Sequence, residues 1–254
     1  MRNHPAAIEG KISGPVMRRM VVVHEAPDTC EDSSSEMCIW LTALVLTPTV
    51  AIAPFFAPLG LDELSIGGGM GVAYLNGEEA PTISQWAKVV HDACAEADIT
   101  ARISAEPGRS IVAAAAVTLY TVGTVKDLPG IRTYVSVDGG MSDNPRPVLY
   151  GSGYETTLAR APFGDRDRIV TVVGKHCESS DVLVRETSLA SPEPGDILVI
   201  PTTGAYCFAM ASNYNGNCRP AVVMVRDGES RIIVERESLD DLVARQRPLH
   251  GEWT

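Results

Sequence analysis

A handful of short strings hold the residues best able to do chemistry. In LSIGGGMGVAY, Gly67, Gly68 and Gly69 follow a short apolar run. Without Cβ atoms their N–H groups can close around a phosphate, although a tight turn uses the same residues. In SAEPGRS, Glu106 and Arg109 flank Pro107-Gly108 at the end of the next apolar run. The rigid donor fork of Arg109 suits a phosphate or a carboxylate, and a surface ion pair is the plainer use of both charges. In VDGGMSDNPRPVLYG, Arg146 stands between two prolines and Tyr150 adds a hydroxyl. Flanking prolines predict an extended loop for this arginine, with ordinary loop packing as the alternative. In GKHCESSD, Cys177 and Glu178 follow Lys175-His176. A cysteine in a strand is most often simply packed in a core, but the polar neighbours His176, Glu178 and Ser179 argue for an accessible thiol. In GAYCFAMASNYN, Tyr206 offers a hydroxyl, while the nearby Phe and Met read as core.

Elements must position these groups. Leu61 to Ile66 predicts a short buried strand running into the glycines. Thr82 or Ser84 can cap a helix reaching about Ala97, with Ile83, Trp86, Val89, Val90 and Cys94 near helical spacing. Ala101 to Ala105 predicts a second strand, ending at Glu106. This is one β/α unit, and in parallel α/β folds the strand C-termini are where ligands bind. After Arg109 the helical pattern stops. Strands are predicted at Ile111–Val125, Ile131–Val137, Arg168–Val173, Asp181–Glu186, Asp196–Ile200, Ala221–Val225 and Arg231–Glu235. Turn signals such as Pro129-Gly130, Pro194-Gly195 and Asp227-Gly228 separate several of them, as in a β-barrel or sandwich. Ser238 to Arg245 opens with a capping pattern and predicts a short helix.

The expected fold class is α/β plus all-β. Residues 1–50 are unassigned, 51–110 form part of an α/β barrel and 111–254 form a C-terminal β domain. Two strands cannot close an eight-stranded barrel.

Composition bounds the function. The chain has 254 residues, 45% of them hydrophobic, which is enough for one or two domains. Its net charge of −11 repels phosphate backbones, so nucleic acid is not an expected partner. The six cysteines show neither C-x-x-C nor zinc-finger spacing, so free thiols in a reducing cytosol are expected, with no metal. His4, His24, His91 and His250 have no motif around them. The acidic, Ser-rich stretch Glu25 to Met37 reads as loop. The apolar run Cys38 to Ala57 is broken by Pro48 and Pro54 and reads as a buried helix and turn rather than a membrane span. The N-terminus lacks the pattern of a signal peptide.

Taken in order, the five strings resemble the alanine-racemase-like group of decarboxylases that use pyridoxal phosphate. The match covers roughly residues 52–250. GKHCES and GMSDNPRPVLYG are similar to the diaminopimelate decarboxylase branch rather than to the ornithine or arginine branch. The resemblance implies a pyridoxal-phosphate-binding (β/α)₈ barrel joined to a C-terminal β domain, in a homodimer with shared active sites. It implies decarboxylation of meso-2,6-diaminopimelate to L-lysine and CO₂, a step of lysine biosynthesis. It assigns cofactor binding to Gly67, Gly68, Gly69, Glu106, Gly108, Arg109 and Tyr206, with the three glycines and Tyr206 at the phosphate, Arg109 at the phosphate or a substrate carboxylate, and Glu106 at the pyridine nitrogen. It assigns substrate binding to Arg109, Arg146, Tyr150, Glu178 and Tyr206. Arg146 and Tyr150 would grip the distal carboxylate and Glu178 the distal ammonium. Cys177 would return a proton to the carbon that lost CO₂ and, with Glu178, would enter the neighbouring subunit's active site.

The sequence also departs from that family. Its lysine-bearing Y-A-x-K-A-N-like string is missing, and Lys11, Lys88, Lys126 and Lys175 lack the strand-end context. The histidine motif that stacks on the cofactor is missing too. The expectation is a chain shortened at its N-terminus that does not catalyse alone. Two other readings stay open: a decarboxylase of ornithine or arginine, against which Arg146 argues, and a non-catalytic β domain that binds a partner or a small anion.

Overall fold

The computed structural model describes residues 61–247. The expectations placed on residues 1–60, and on His250, lie outside the described residues. The described chain divides into two compact units. Among the described residues, one holds 61–68 together with Ile83–Glu106, and the other holds Gly69–Thr82 and 107–247.

The first unit is the expected β/α unit. Strand β1 (Glu63–Ser65) pairs in parallel with β2 (Arg102–Ser104), and Arg102 meets Glu63 across the register at 2.6 Å. Helix α1 (Ile83–Glu96) starts directly after Thr82 and connects them. Its Trp86, Val89, Val90 and Cys94 pack on Ile66, Ile99 and Ile103, so four of the five positions read from helical spacing mark its buried face, whereas Ile83, in the exposed first turn, is 71% exposed.

The second unit begins with a difference from expectation. A strand was predicted from Ile111, yet Gly108–Val112 forms helix α2, a 3₁₀ turn covers Ala113–Ala115, and β3 starts only at Val117 and runs to Leu128. Two bonds return to the Pro107 carbonyl, from Ile111 N–H at 3.3 Å and from Ser110 Oγ at 2.8 Å. The alanines that follow favour helix over strand.

Strands β4 (Arg132–Val137), β5 (Thr157–Leu158), β6 (Arg168–Val173), β7 (Val182–Leu189) and β8 (Ile197–Pro201) join β3 in one sheet of order β5-β8-β3-β4-β6-β7. All pairings are antiparallel except β4 with β6. The long β3 serves two neighbours: Val117–Thr121 pairs with β8, and Val122–Leu128 with β4, across an irregularity between Val122 and Val125. Along β4 the alternation buries Thr133, Val135 and Val137. These last two join Val122, Leu158, Val170, Val172, Leu183, Leu198 and Ile200 in the core. Each such aliphatic side chain contributes about 1.5–3 kcal/mol.

A separate hairpin, β9 (Val222–Arg226) and β10 (Glu229–Val234), turns at Asp227-Gly228 with φ of 52° and 80°, as that dipeptide predicts. Helix α4 (Leu239–Val243) carries the expected capping box between Ser238 and Asp241. Arg146 lies not in an extended loop but on helix α3 (Arg146–Tyr150). Prolines fit a helix's first turn because its N–H groups have no intrahelical acceptor, and Gly151 closes α3 at φ 63°.

Candidate functional site

In the first unit, β1 delivers Gly67 and Gly68 to the end of β2. The Glu106 N–H donates to the Gly67 carbonyl at 2.7 Å, extending the parallel ladder past Ser104. Gly67 has φ 71°, and a Cβ on Gly68 would sit 2.5 Å from the Glu106 carbonyl oxygen. Both glycines are therefore required by backbone geometry, and the structure brings them against Glu106. Gly69, with φ 92°, belongs to the second unit.

In the second unit, helix α2 carries Gly108 and Arg109. The Arg109 Nε is buried and has no hydrogen-bond partner among the described residues, while its guanidinium lies 5.7 Å from the Tyr206 ring centre. Tyr206 has φ 65°, a conformation costly for a residue with a Cβ. The adjacent Gly204 explains how the loop is held. Its N–H donates to the Ala113 carbonyl, and a Cβ there would lie 1.9 Å from the Val112 carbonyl oxygen.

Arg146 is 7% exposed and faces three tyrosines. Its Nη1 donates to the Tyr154 hydroxyl at 2.8 Å, and its guanidinium stands 4.5 Å from the Tyr74 ring centre and 5.9 Å from that of Tyr206. The Tyr154 hydroxyl also meets Cys207 Sγ at 3.6 Å. Burial pushes the Tyr154 phenol and the Cys207 thiol above their ordinary values, so both stay neutral beside the cation. Neither Arg109 nor Arg146 is within ion-pair distance of a carboxylate among the described residues. A buried cation without an anion is costly, and a bound anion would offset that cost. Tyr150, at the far end of α3, is 66% exposed.

A third group surrounds Cys177 and Glu178, both exposed. Buried Asp181 ties their loop to the loop after β4. It accepts from Met141 N–H at 2.7 Å and His176 N–H at 2.9 Å. A Cβ on Gly140 or Gly174 would lie 2.6 or 2.1 Å from its carboxylate. His176 is buried, with Nε2 2.9 Å from Ser142 Oγ and its ring against Tyr214. The Tyr214 hydroxyl donates to Glu178, and that bond raises the Tyr214 phenol above its ordinary value. Glu237 holds the Tyr214 loop by accepting from Asn213 Nδ2, Arg219 N–H and Arg219 Nε at 2.5, 2.8 and 2.7 Å.

The structure thus joins Arg109, Arg146 and Tyr206 around one ring, joins Gly67, Gly68 and Glu106 at one strand end, and sets Cys177 and Glu178 beside Tyr214. Sequence reading missed Tyr74, Tyr154, Asp181 and Tyr214. Each lies in or next to a string already singled out, but nothing local marks its partner. Among the described residues no group of three His, Cys, Asp or Glu side chains is placed to hold a metal, and no helix is long and apolar enough to cross a membrane.

The pattern for the pyridoxal-dependent decarboxylase, C-terminal sheet domain, matches residues 75–204. A diaminopimelate decarboxylase from Synechocystis sp. is 50% identical over 190 residues, covering 73% of this chain and 40% of the relative. The Bacillus subtilis diaminopimelate decarboxylase is 42% identical over 191 residues, covering 73% and 43%. Among solved structures, diaminopimelate decarboxylase from M. jannaschii in co-complex with L-lysine aligns with a TM-score of 0.72 at 30% identity, over 85% of this chain and 49% of that one. The Helicobacter pylori enzyme complexed with L-lysine aligns with a TM-score of 0.69 at 32% identity, over 79% and 50%. The chain spans about two fifths of the length of the curated relatives it matches. With its matching sheet domain and its shared sequence, the chain belongs to the pyridoxal-dependent decarboxylases.

Proposed function

We propose that the chain supplies the anion-binding and proton-returning half of a decarboxylase that converts meso-2,6-diaminopimelate to L-lysine and CO₂. One observation carries this reading. Two arginines, Arg109 and Arg146, face the same Tyr206 ring, and neither has a carboxylate partner among the described residues. The substrate has a distal carboxylate, and ornithine and arginine do not. The relatives named above support the same substrate.

Pyridoxal phosphate fits the residues present. In the second unit, the orphaned Arg109 Nε, with Gly108, the Tyr206 hydroxyl and the backbone of Gly69, would hold its phosphate. In the first unit, Glu106 beside Gly67 and Gly68 offers a carboxylate of the kind that keeps a pyridine nitrogen charged. When bound, the cofactor supplies the electron sink that takes up the negative charge left as CO₂ departs.

The chain's own groups do the rest. Arg146, with Tyr150, holds the distal carboxylate through paired donors. Glu178 holds the distal ammonium, and the Tyr214 hydroxyl fixes the direction of its carboxylate. Cys177, exposed on the same loop, returns a proton to the substrate carbon. Because Cys177 and Glu178 would serve a neighbouring subunit, the working form is a homodimer, placed in the cytoplasm by its part in amino-acid synthesis. No lysine of this chain has the context of the family's cofactor-binding lysine, so turnover requires a protein that contains one.

The test is calorimetric titration of the chain with pyridoxal phosphate, pyridoxal, meso-diaminopimelate and ornithine. Arg109→Ala should abolish any preference for pyridoxal phosphate over pyridoxal. Arg146→Ala should abolish the preference for diaminopimelate over ornithine. An Arg146→Ala loss that is equal for ornithine would overturn the substrate assignment.

A further inference from the structure

We infer that Tyr74, the last residue of the glycine-rich string, is a carboxylate-binding residue that works with Arg146 and selects substrates bearing a distal carboxylate. The inference rests on the reading of Arg146 given above and adds a donor that the sequence did not suggest.

The observations begin with what Arg146 has left to offer. Its Nη1 is occupied by Tyr154 at 2.8 Å, and its face is covered by the Tyr74 ring at 4.5 Å. The remaining edge of the guanidinium has no hydrogen-bond partner among the described residues, and it can meet a planar anion. The hydroxyl of that same Tyr74 ring is buried and has no hydrogen-bond partner among the described residues. A buried hydroxyl left unpaired costs roughly as much as a lost hydrogen bond, so it marks a place where an acceptor belongs.

The ring is not free to turn away. It packs edge-on against Tyr154 with centres 5.3 Å apart. Its backbone N–H and that of Leu75 donate to Glu78 at 2.7 and 3.1 Å, and the Asn76 N–H donates to Glu155 at 3.0 Å. Gly153 lets Leu75 seat closely, since a Cβ there would lie 3.0 Å from Leu75 Cδ1. The segment after the glycines is thus fastened to the segment after α3, and Tyr74 is presented to Arg146 before any ligand arrives. A carboxylate has about four lone-pair sites to satisfy, and the Tyr74 hydroxyl supplies a further donor alongside Arg146 and Tyr150.

The experiment compares two ligands that differ by one carboxylate, meso-2,6-diaminopimelate and L-lysine, titrated calorimetrically into the full chain. Tyr74→Phe keeps the ring over Arg146 and removes only the hydroxyl. It should weaken diaminopimelate about three- to tenfold and leave lysine unchanged. Arg146→Ala is the control and should erase the preference for diaminopimelate altogether. If Arg146→Ala erases the preference and Tyr74→Phe leaves it intact, the Tyr74 role is wrong and the functional reading stands. If the wild-type chain does not prefer diaminopimelate, or Arg146→Ala preserves that preference, both fall. A wild-type measurement avoids any folding defect in the variants. The Cζ resonance of ¹³C-labelled Tyr74 should move on adding diaminopimelate and stay still on adding lysine; an identical response to the two ligands overturns the proposal.

Discussion

The surroundings of Arg146 and those of Glu178 handle charge in opposite ways. Arg146 is buried, and aromatic faces and one neutral hydroxyl surround its cation. Glu178 is exposed and receives one tyrosine hydroxyl. A buried cation has lost most of its hydration, so the fold must orient it in advance. An exposed carboxylate keeps its hydration, so the fold has only to direct it. The structural effort on that side goes into the loop instead, through Asp181, Gly140 and Gly174.

This contrast can be broken by removing what each side depends on. The largest effect is expected at Asp181→Ala, which strips the acceptor from Met141 and His176 N–H. A loss of about 3 kcal/mol in urea unfolding is expected; a loss under about 1 kcal/mol would show that the loop holds itself. Next comes Tyr154→Phe, which leaves Arg146 Nη1 without its acceptor. A cost of about 1–2 kcal/mol is expected by the same measurement. No cost at all would mean that the rings alone hold the cation.

The smallest effect is pH-dependent and belongs to the exposed side. Hydrogen bonds from Arg219 hold the Glu237 carboxyl down at about 2, from an ordinary 4.5. A carboxyl lowered in the folded state stabilises it above its unfolded value and loses that contribution as protons bind. The stability difference between the wild type and Glu237→Gln should therefore be constant above pH 4.5 and shrink as pH falls toward 2. A difference that does not vary with pH across that window would remove Glu237 as the anchor of the Tyr214 loop.

What could be read from sequence was local. Trp86, Val89, Val90 and Cys94 show their buried face by spacing alone, and Asp227-Gly228 announces its hairpin because few residues tolerate positive φ. Arg109, Arg146 and Tyr206 could be named one by one, but not as neighbours, because tertiary contacts between distant loops leave no periodic trace. Tyr74 passed unnoticed because its value lies in a ring placed over an arginine from another loop. Helices α2 and α3 were missed because proline and β-branched residues disfavour helix on average, whereas a helix's first turn accepts proline.

Gly204 carries a consequence for any attempt to redesign this protein. Because the chain there rests directly on the Val112 carbonyl, the short helix bearing Arg109 and the loop bearing Tyr206 behave as one splinted body. Tyr206 is also the ring that Arg146 approaches. Engineering that reshapes the surroundings of one arginine will shift the aromatic wall it shares with the other, so the two must be retuned together.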